Sequence, residues 1–138
     1  MLPKWHLFFG FLFTYLIYWF TSLTTFQASL IFLSSVLIDF DHYIFIMKRK
    51  KIFNLKKAYF WNKNLPDKHK PIMQIFHTIE FLAFTFILTF FWEGFLFILI
   101  GMLFHSILDI IYLFNKKAVF TREFSFIKYL ISDKTKYF

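Results

Sequence analysis

Residues 28–47 read ASLIFLSSVLIDFDHYIFIM, an apolar run that closes on Asp39-Phe40-Asp41-His42. About twenty residues is the length a helix needs to cross a hydrocarbon core about 30 Å thick. Two carboxylates and an imidazole in such a run are expensive. At the centre of a bilayer each charge costs roughly 2.5–3.5 kcal/mol on insertion scales, and ionisable groups at that depth point to function first. Matching residues are therefore expected on the other segments.

The whole chain has the same character. Of its 138 residues 59% are apolar, 25 are Phe, and the mean hydropathy is +0.57. A soluble domain of this length has no interior for so much apolar surface, and the long apolar runs lack polar faces, so an integral membrane protein is expected. The first run begins after a single Lys4 and is too long for a secretory h-region, so it reads as a retained span. With no Cys, disulfides and thiolate metal sites are excluded. The net charge of +8, from 16 Lys and Arg against 8 Asp and Glu, suits topology control and contact with anionic membrane lipids. No nucleic-acid partner is expected. Nothing in the sequence marks an oligomeric state.

Four segments are long enough to span, at about 5–25, 27–47, 72–92 and 95–114. In lipid the backbone must bond to itself, so these read as helices despite their β-preferring Phe and Ile. A polar patch (Thr21, Ser22, Thr24, Thr25, Gln27) joins the first two, and Glu93-Gly94 turns between the last two. The expected fold is all-α: one domain over 1–138, an integral membrane four-helix bundle of two helical hairpins. A basic loop over 48–71 starts Lys48-Arg49-Lys50-Lys51 and carries aromatic residues suited to the interface. The tail, 115–138, places apolar residues at 120, 124, 127 and 131, with Arg122, Ser125 and Lys128 between. That spacing predicts an amphipathic helix over Val119–Ile131; a frayed basic tail is the plainer reading. With four spans, all 16 basic residues fall on one side, which the positive-inside rule makes the cytoplasm. Both termini are then cytoplasmic in a multi-pass protein of the cell (inner) membrane.

Every span brings ionisable residues to similar depth. The first has His6, the second Asp39, Asp41 and His42, the third His77 and Glu80, the fourth His105 and Asp109. Alternating helix direction puts most of them within about 8–14 Å of the cytoplasmic boundary. Asp39/His42 and His77/Glu80 are i,i+3 pairs and His105/Asp109 is i,i+4, so each pair shares a helical face. Facing His and carboxylate pairs are how metal sites are built in bundle cores. Four carboxylates with four imidazoles would balance two divalent cations, with Zn²⁺ first and Mn²⁺ or Fe²⁺ as alternatives. The plainer readings are interhelical hydrogen bonding for any single His and a cap, or a partner for Lys48 or Arg49, for Asp41. His69 and Glu93 read as solvated. Ser34, Ser35, Gln74, Thr78, Ser106 and Tyr112 are candidate supporting donors or simple packing.

His6 at the start of the first span, Asp39-x-Asp41-His42, His77 and His105-x-x-x-Asp109 together resemble the membrane-bound metal-dependent hydrolase family (YdjM-like). That family is itself similar to zinc-dependent phospholipase C. The likeness runs in order over nearly the whole chain. It departs where Leu37-Ile38 replaces the family's Pro before Asp39, and where Phe76-His77-Thr78-Ile79-Glu80 replaces a His-Arg-Gly-x-x-His-Ser opening. The resemblance implies one or two metal ions on His6, Asp41, His42, His77, His105 and Asp109, with Asp39 beside them. It also implies hydrolysis of a phosphoester, such as a phospholipid headgroup, at the cytoplasmic face. Asp39 or Glu80 would be the general base where it is not a ligand. Two other readings use the same residues: a metal-ion or proton pathway, and a metal-stapled scaffold without catalysis.

Overall fold

The structure, a computed structural model, describes residues 3–66 and 69–137. Asp67 and Lys68 of the expected basic loop therefore lie outside the described residues, as do Met1, Leu2 and Phe138. The chain is mostly helical, as its apolar runs predict. The helices are α1 (Pro3–Phe20), α2 (Thr25–Leu37), α3 (Phe40–Lys50), α4 (Leu55–Lys63), α5 (Ile79–Leu88), α6 (Gly94–Asn115) and α7 (Phe126–Ile131). Two short strands accompany them, β1 (Ile72–Met73) and β2 (Arg122–Glu123).

The polar patch between the first two runs acts as a helix start. The Thr24 hydroxyl accepts from the Gln27 N–H at 3.2 Å, and Gln27 Oε1 accepts from the Thr24 N–H at 2.8 Å. This reciprocal capping satisfies two otherwise orphaned donors. The second run extends 26 residues, from Thr25 to Lys50, but it is not one regular helix. It is interrupted at Ile38 and Asp39, and the His42 N–H reaches back only three residues, to the Asp39 carbonyl at 3.1 Å. Local tightening of this kind turns the side chains after it relative to those before. Asp39 and His42 sit at that joint.

α2 is the central helix, packed along α6 on one side and α1 on the other. Two glycines permit the close approach. A Cβ at Gly101 would collide with the Ile31 carbonyl oxygen, and one at Gly10 with the Ser35 hydroxyl. Small residues at helix contacts are what association in lipid relies on, because lipid tails remove the hydrophobic drive between helices.

At its far end α6 stops in a left-handed turn at Lys117, φ 51°. The Ala118 N–H bonds the Leu113 carbonyl at 2.9 Å and the Lys117 N–H bonds Phe114 at 3.0 Å, a Schellman closure. The chain then doubles back, and β2 pairs with β1 in parallel, Ile72 opposite Arg122 and Met73 opposite Glu123.

That pairing changes two expectations. The helix expected over 72–92 is confined to Ile79–Leu88. Pro71 precedes the segment, Ile72–Met73 is drawn into the strand pair, and the Thr78 hydroxyl caps α5 by accepting from Phe81 N–H at 3.3 Å. Ten residues cover about 15 Å, half of a hydrocarbon core. The tail helix expected over Val119–Ile131 is likewise broken into a 3₁₀ turn at Val119–Thr121, β2 and α7. Arg122, placed by periodicity between the apolar positions of that helix, is buried, and so is the neighbouring Glu123.

Two helical runs, Thr25–Lys50 and Gly94–Asn115, are long and apolar enough to cross a membrane. The distribution of polarity is inverted relative to a soluble domain. Alongside Ile31, the most deeply buried side chains are His6, Ser35, Thr78, His105 and Asp109, while Trp19, Phe90 and Phe91 are 70%, 76% and 81% exposed. Apolar surface of that extent marks a face that meets lipid or another protein.

Gly101→Ala should be poorly tolerated, because besides the Ser34 hydroxyl its Cβ meets the Ile31 carbonyl, which is backbone and cannot rotate away. Overpacking of this kind costs about 1–3 kcal/mol. The expected result is a clearly lowered melting temperature in detergent; melting at the wild-type temperature would mean that α2 and α6 are not in such close contact.

Candidate metal centre

Six of the residues singled out by depth converge at one end of the bundle. His6 comes from the first turns of α1, Asp39 from the joint between α2 and α3, and His42 from the start of α3. His77 sits in the 3₁₀ turn before α5, and His105 and Asp109 lie one turn apart on α6. Their donor atoms form two quartets, His6/Asp39/His105/Asp109 and Asp39/His42/His77/Asp109, each with all its atoms within 4.8 Å of one another. Asp39 and Asp109 belong to both.

The distances are those of groups gathered round a centre. His6 Nε2 lies 3.0 Å from Asp109 Oδ1 and 3.8 Å from Asp39 Oδ2. His42 Nε2 lies 3.2 Å and His105 Nε2 3.3 Å from Asp39 Oδ1. His77 Nε2 is 3.7 Å from Asp39 Oδ1 and 3.8 Å from Asp109 Oδ2. Ligands held 2.0–2.1 Å from a tetrahedral ion stand about 3.3 Å apart. The observed spread brackets that value.

The outer ring nitrogens settle which way the inner ones face. His105 Nδ1 lies 2.7 Å from the Ser35 carbonyl, which can only accept, so His105 Nδ1 carries the proton. His77 Nδ1 lies 3.1 Å from Asp41 Oδ2, which also accepts from the Phe76 N–H at 3.0 Å. Both rings therefore turn Nε2 inward, and these two nitrogens face each other across 3.1 Å. Two lone pairs at that distance repel unless a positive charge lies between or beside them. A shared proton would serve this pair but leave His6 unserved. The His6 ring is buried against His105 at 3.9 Å, and neither of its nitrogens has a hydrogen-bond partner. Its 3.0 Å approach to Asp109 is off the hydrogen-bonding direction, which is how two ligands of one cation are arranged. Buried polar atoms without partners call for such an explanation. The buried His/Asp groups can hold a metal ion, and their chemistry suits one.

Two residues expected in the set stand outside it. Asp41 is behind His77, orienting its ring, the position of a carboxylate that fixes a ligand's tautomer. Glu80 points away: its carboxylate accepts from the Ser125 hydroxyl at 2.6 Å and from the Phe126 and Ile127 N–H groups at 2.9 and 3.2 Å. It holds the start of α7, because α5 begins only at Ile79 and so does not share a helical face with His77. Gln74 supports His42, its amide 2.9 Å from His42 Nδ1. No family model, curated protein or solved structure matches the chain. The geometry carries the reading alone.

Arg122 is the participant that sequence reasoning missed. It is buried, and its guanidinium donates to Asp109 Oδ2. The apolar stripe at 120, 124, 127 and 131 had assigned it to a polar helix face, and no local signal opposed that. Beside it a cavity of about 160 Å³ opens onto His42 and Gln74, and Lys63 and Lys116 also line it.

The neighbouring Glu123 locks the tail. It accepts from Lys128 Nζ at 3.0 Å, from the Tyr137 hydroxyl at 3.0 Å, and from the Phe124 and Ser125 N–H groups at 3.1 and 3.3 Å. Burial works to raise the Glu123 pKa, but bonds from Lys128, Tyr137 and Ser125 outweigh it and hold the carboxyl below its usual range. Because the folded value is depressed, this stability is present above the unfolded pKa of about 4.3 and is lost as pH falls through the folded value. Wild type should therefore lose thermal stability over that acid window, and Glu123→Gln should lose less. Parallel acid profiles for the two would show that this contact does not hold the tail.

Proposed function

We propose that the chain is a membrane-embedded, metal-dependent hydrolase of phosphoesters, with its site at the cytoplasmic face. One observation carries the reading: two His/Asp quartets that share Asp39 and Asp109, with the Nε2 atoms of His77 and His105 directed into them. The arrangement suits one or two divalent ions, His6 and His105 serving one, His42 and His77 the other, and the two aspartates common to both. Two imidazoles and two carboxylates favour Zn²⁺, Mn²⁺ or Fe²⁺ over Ca²⁺, which takes six to eight oxygens. When bound, such ions lower the pKa of a water to about 7 and neutralise phosphoryl oxygens.

The chain's own residues divide the remaining work. Asp41 and the Ser35 carbonyl fix the tautomers of His77 and His105. Of the cluster's three carboxylates only Asp39 is partly exposed, so it is the one placed to accept a proton from an attacking water where it does not itself hold an ion. The α1 and α6 residues that flank it are fully buried, which keeps bulk water from the far side of the site. The resemblance to membrane-bound metal-dependent hydrolases agrees with this reading.

Four membrane crossings with both termini cytoplasmic remain the preferred topology, with α5 and the turns after it forming the short third crossing. Support comes from the contact of His6 near the start of α1 with Asp109 near the end of α6. It sets Lys4 at the same end as Lys116 and Lys117, where positive charge is favoured on the cytoplasmic side. The natural chain has no Cys, so single cysteines report topology cleanly. In intact cells an impermeant maleimide should label Ser22→Cys and spare Lys51→Cys; labelling of Lys51→Cys before permeabilisation would invert or break the topology.

The central test is metal analysis of purified wild type beside His105→Ala and Asp41→Asn. Wild type should retain metal through gel filtration and His105→Ala should not. Asp41→Asn, which spares the inner donors, should bind metal about 10–100-fold more weakly. Equal metal in all three sinks the site. With metal established, release of phosphate or alcohol from a panel of phosphoesters and phospholipids separates an enzyme from a stapled scaffold.

A further inference from the structure

We infer that the cavity beside His42 is an oxyanion pocket for the phosphate group of the substrate, with Arg122 as its buried anchor. The inference deepens the reading above and rests on it for the charge count.

Arg122 is an odd group to find on a metal ligand. Its guanidinium is buried and bonded to Asp109 Oδ2, an oxygen that also faces His77 and His105. With two divalent ions in place, the site holds four positive charges from the ions and a fifth from Arg122. Against them stand Asp39, Asp41 and Asp109, leaving an excess of two. Buried charge left uncompensated is costly, and a phosphate dianion removes that excess.

The cavity is furnished for such a group. Arg122 presents a planar fork of donors suited to phosphate. Lys63 and Lys116 add positive charge to the lining, and among the residues named as lining it none is acidic. Gln74 also lines it, buried, with its amide on His42 Nδ1. The tail delivers Arg122 by the β1–β2 pairing, with Ile72 opposite it. The pocket opens among α4, the start of β1 and the end of α6, so the phosphate group enters beside the basic loop.

The test is a phosphate titration by calorimetry on the full chain in detergent, once metal-stripped and once zinc-loaded, with metal content measured on the same samples. The zinc-loaded wild type should bind inorganic phosphate. Arg122→Lys, which loses the fork but keeps a charge, should bind about 10-fold or more weakly, and Arg122→Met weaker still, as loss of charge-assisted hydrogen bonds implies. Because Arg122 is paired with Asp109, its variants can fail to fold. Lys63→Glu, at an exposed position, then decides: it should weaken phosphate severalfold with metal content unchanged. Wild-type affinity in Lys63→Glu, or absence of phosphate binding at any metal loading, overturns the pocket. Metal retained without phosphate binding overturns the pocket and leaves the metal site standing. Arg122-dependent phosphate binding by protein that never retains metal would support the pocket and sink the metal site. Competition by glycerol phosphate, against phosphatidic acid in phosphatidylcholine nanodiscs, distinguishes a soluble phosphoester from a lipid headgroup as the natural source.

Discussion

Two imidazole nitrogens, His77 Nε2 and His105 Nε2, face each other across 3.1 Å in the most buried part of the chain. Each is held there by a partner on its other side, Asp41 for one and the Ser35 carbonyl for the other. Much of the surrounding structure maintains that confrontation. The joint at Ile38–Asp39 turns Asp39 and His42 toward it, the glycine contacts at Gly10 and Gly101 bring α1 and α6 within reach, and the capped turn at Thr78 presents His77 from outside a regular helix. Two such nitrogens meet stably only with a positive charge, a proton or a metal ion, between or beside them.

The energetics also explain why the bundle is polar at one end. Helices that meet in lipid gain little from burying apolar side chains, and small-residue contacts and polar bonds hold them instead. Here the polar bonds are concentrated around the six His and Asp residues, and at the opposite end the outer surfaces are aromatic and exposed. Asp109 links the systems: it touches α1 through His6, the turn before α5 through His77, and the tail through Arg122.

Much of this was legible in the sequence for a simple reason. In an apolar chain each ionisable residue is conspicuous, and helix rise converts position into depth, so His6, Asp39, His42, His77, His105 and Asp109 stood out by agreeing in level. What failed were inferences needing an unbroken helix. Glu80 shares a helical face with His77 only if the helix already includes His77, and α5 begins at Ile79, after the strand pair at Ile72–Met73 and a 3₁₀ turn. Arg122 was hidden because its partner, Asp109, is tertiary, while the periodicity around it described a helix that does not form. Local pattern reads well where burial is uniform and poorly where a tail folds back on the bundle.

The contact between His6 and Asp109 has a consequence for biogenesis. About a hundred residues separate them in the chain, yet their side chains meet at 3.0 Å. During synthesis His6, Asp39, Asp41 and His42 leave the ribosome long before His105 and Asp109 on α6, so they wait without their eventual partners. The cluster is thus completed in a late event, and any truncation before α6 leaves those groups without the partners that satisfy them.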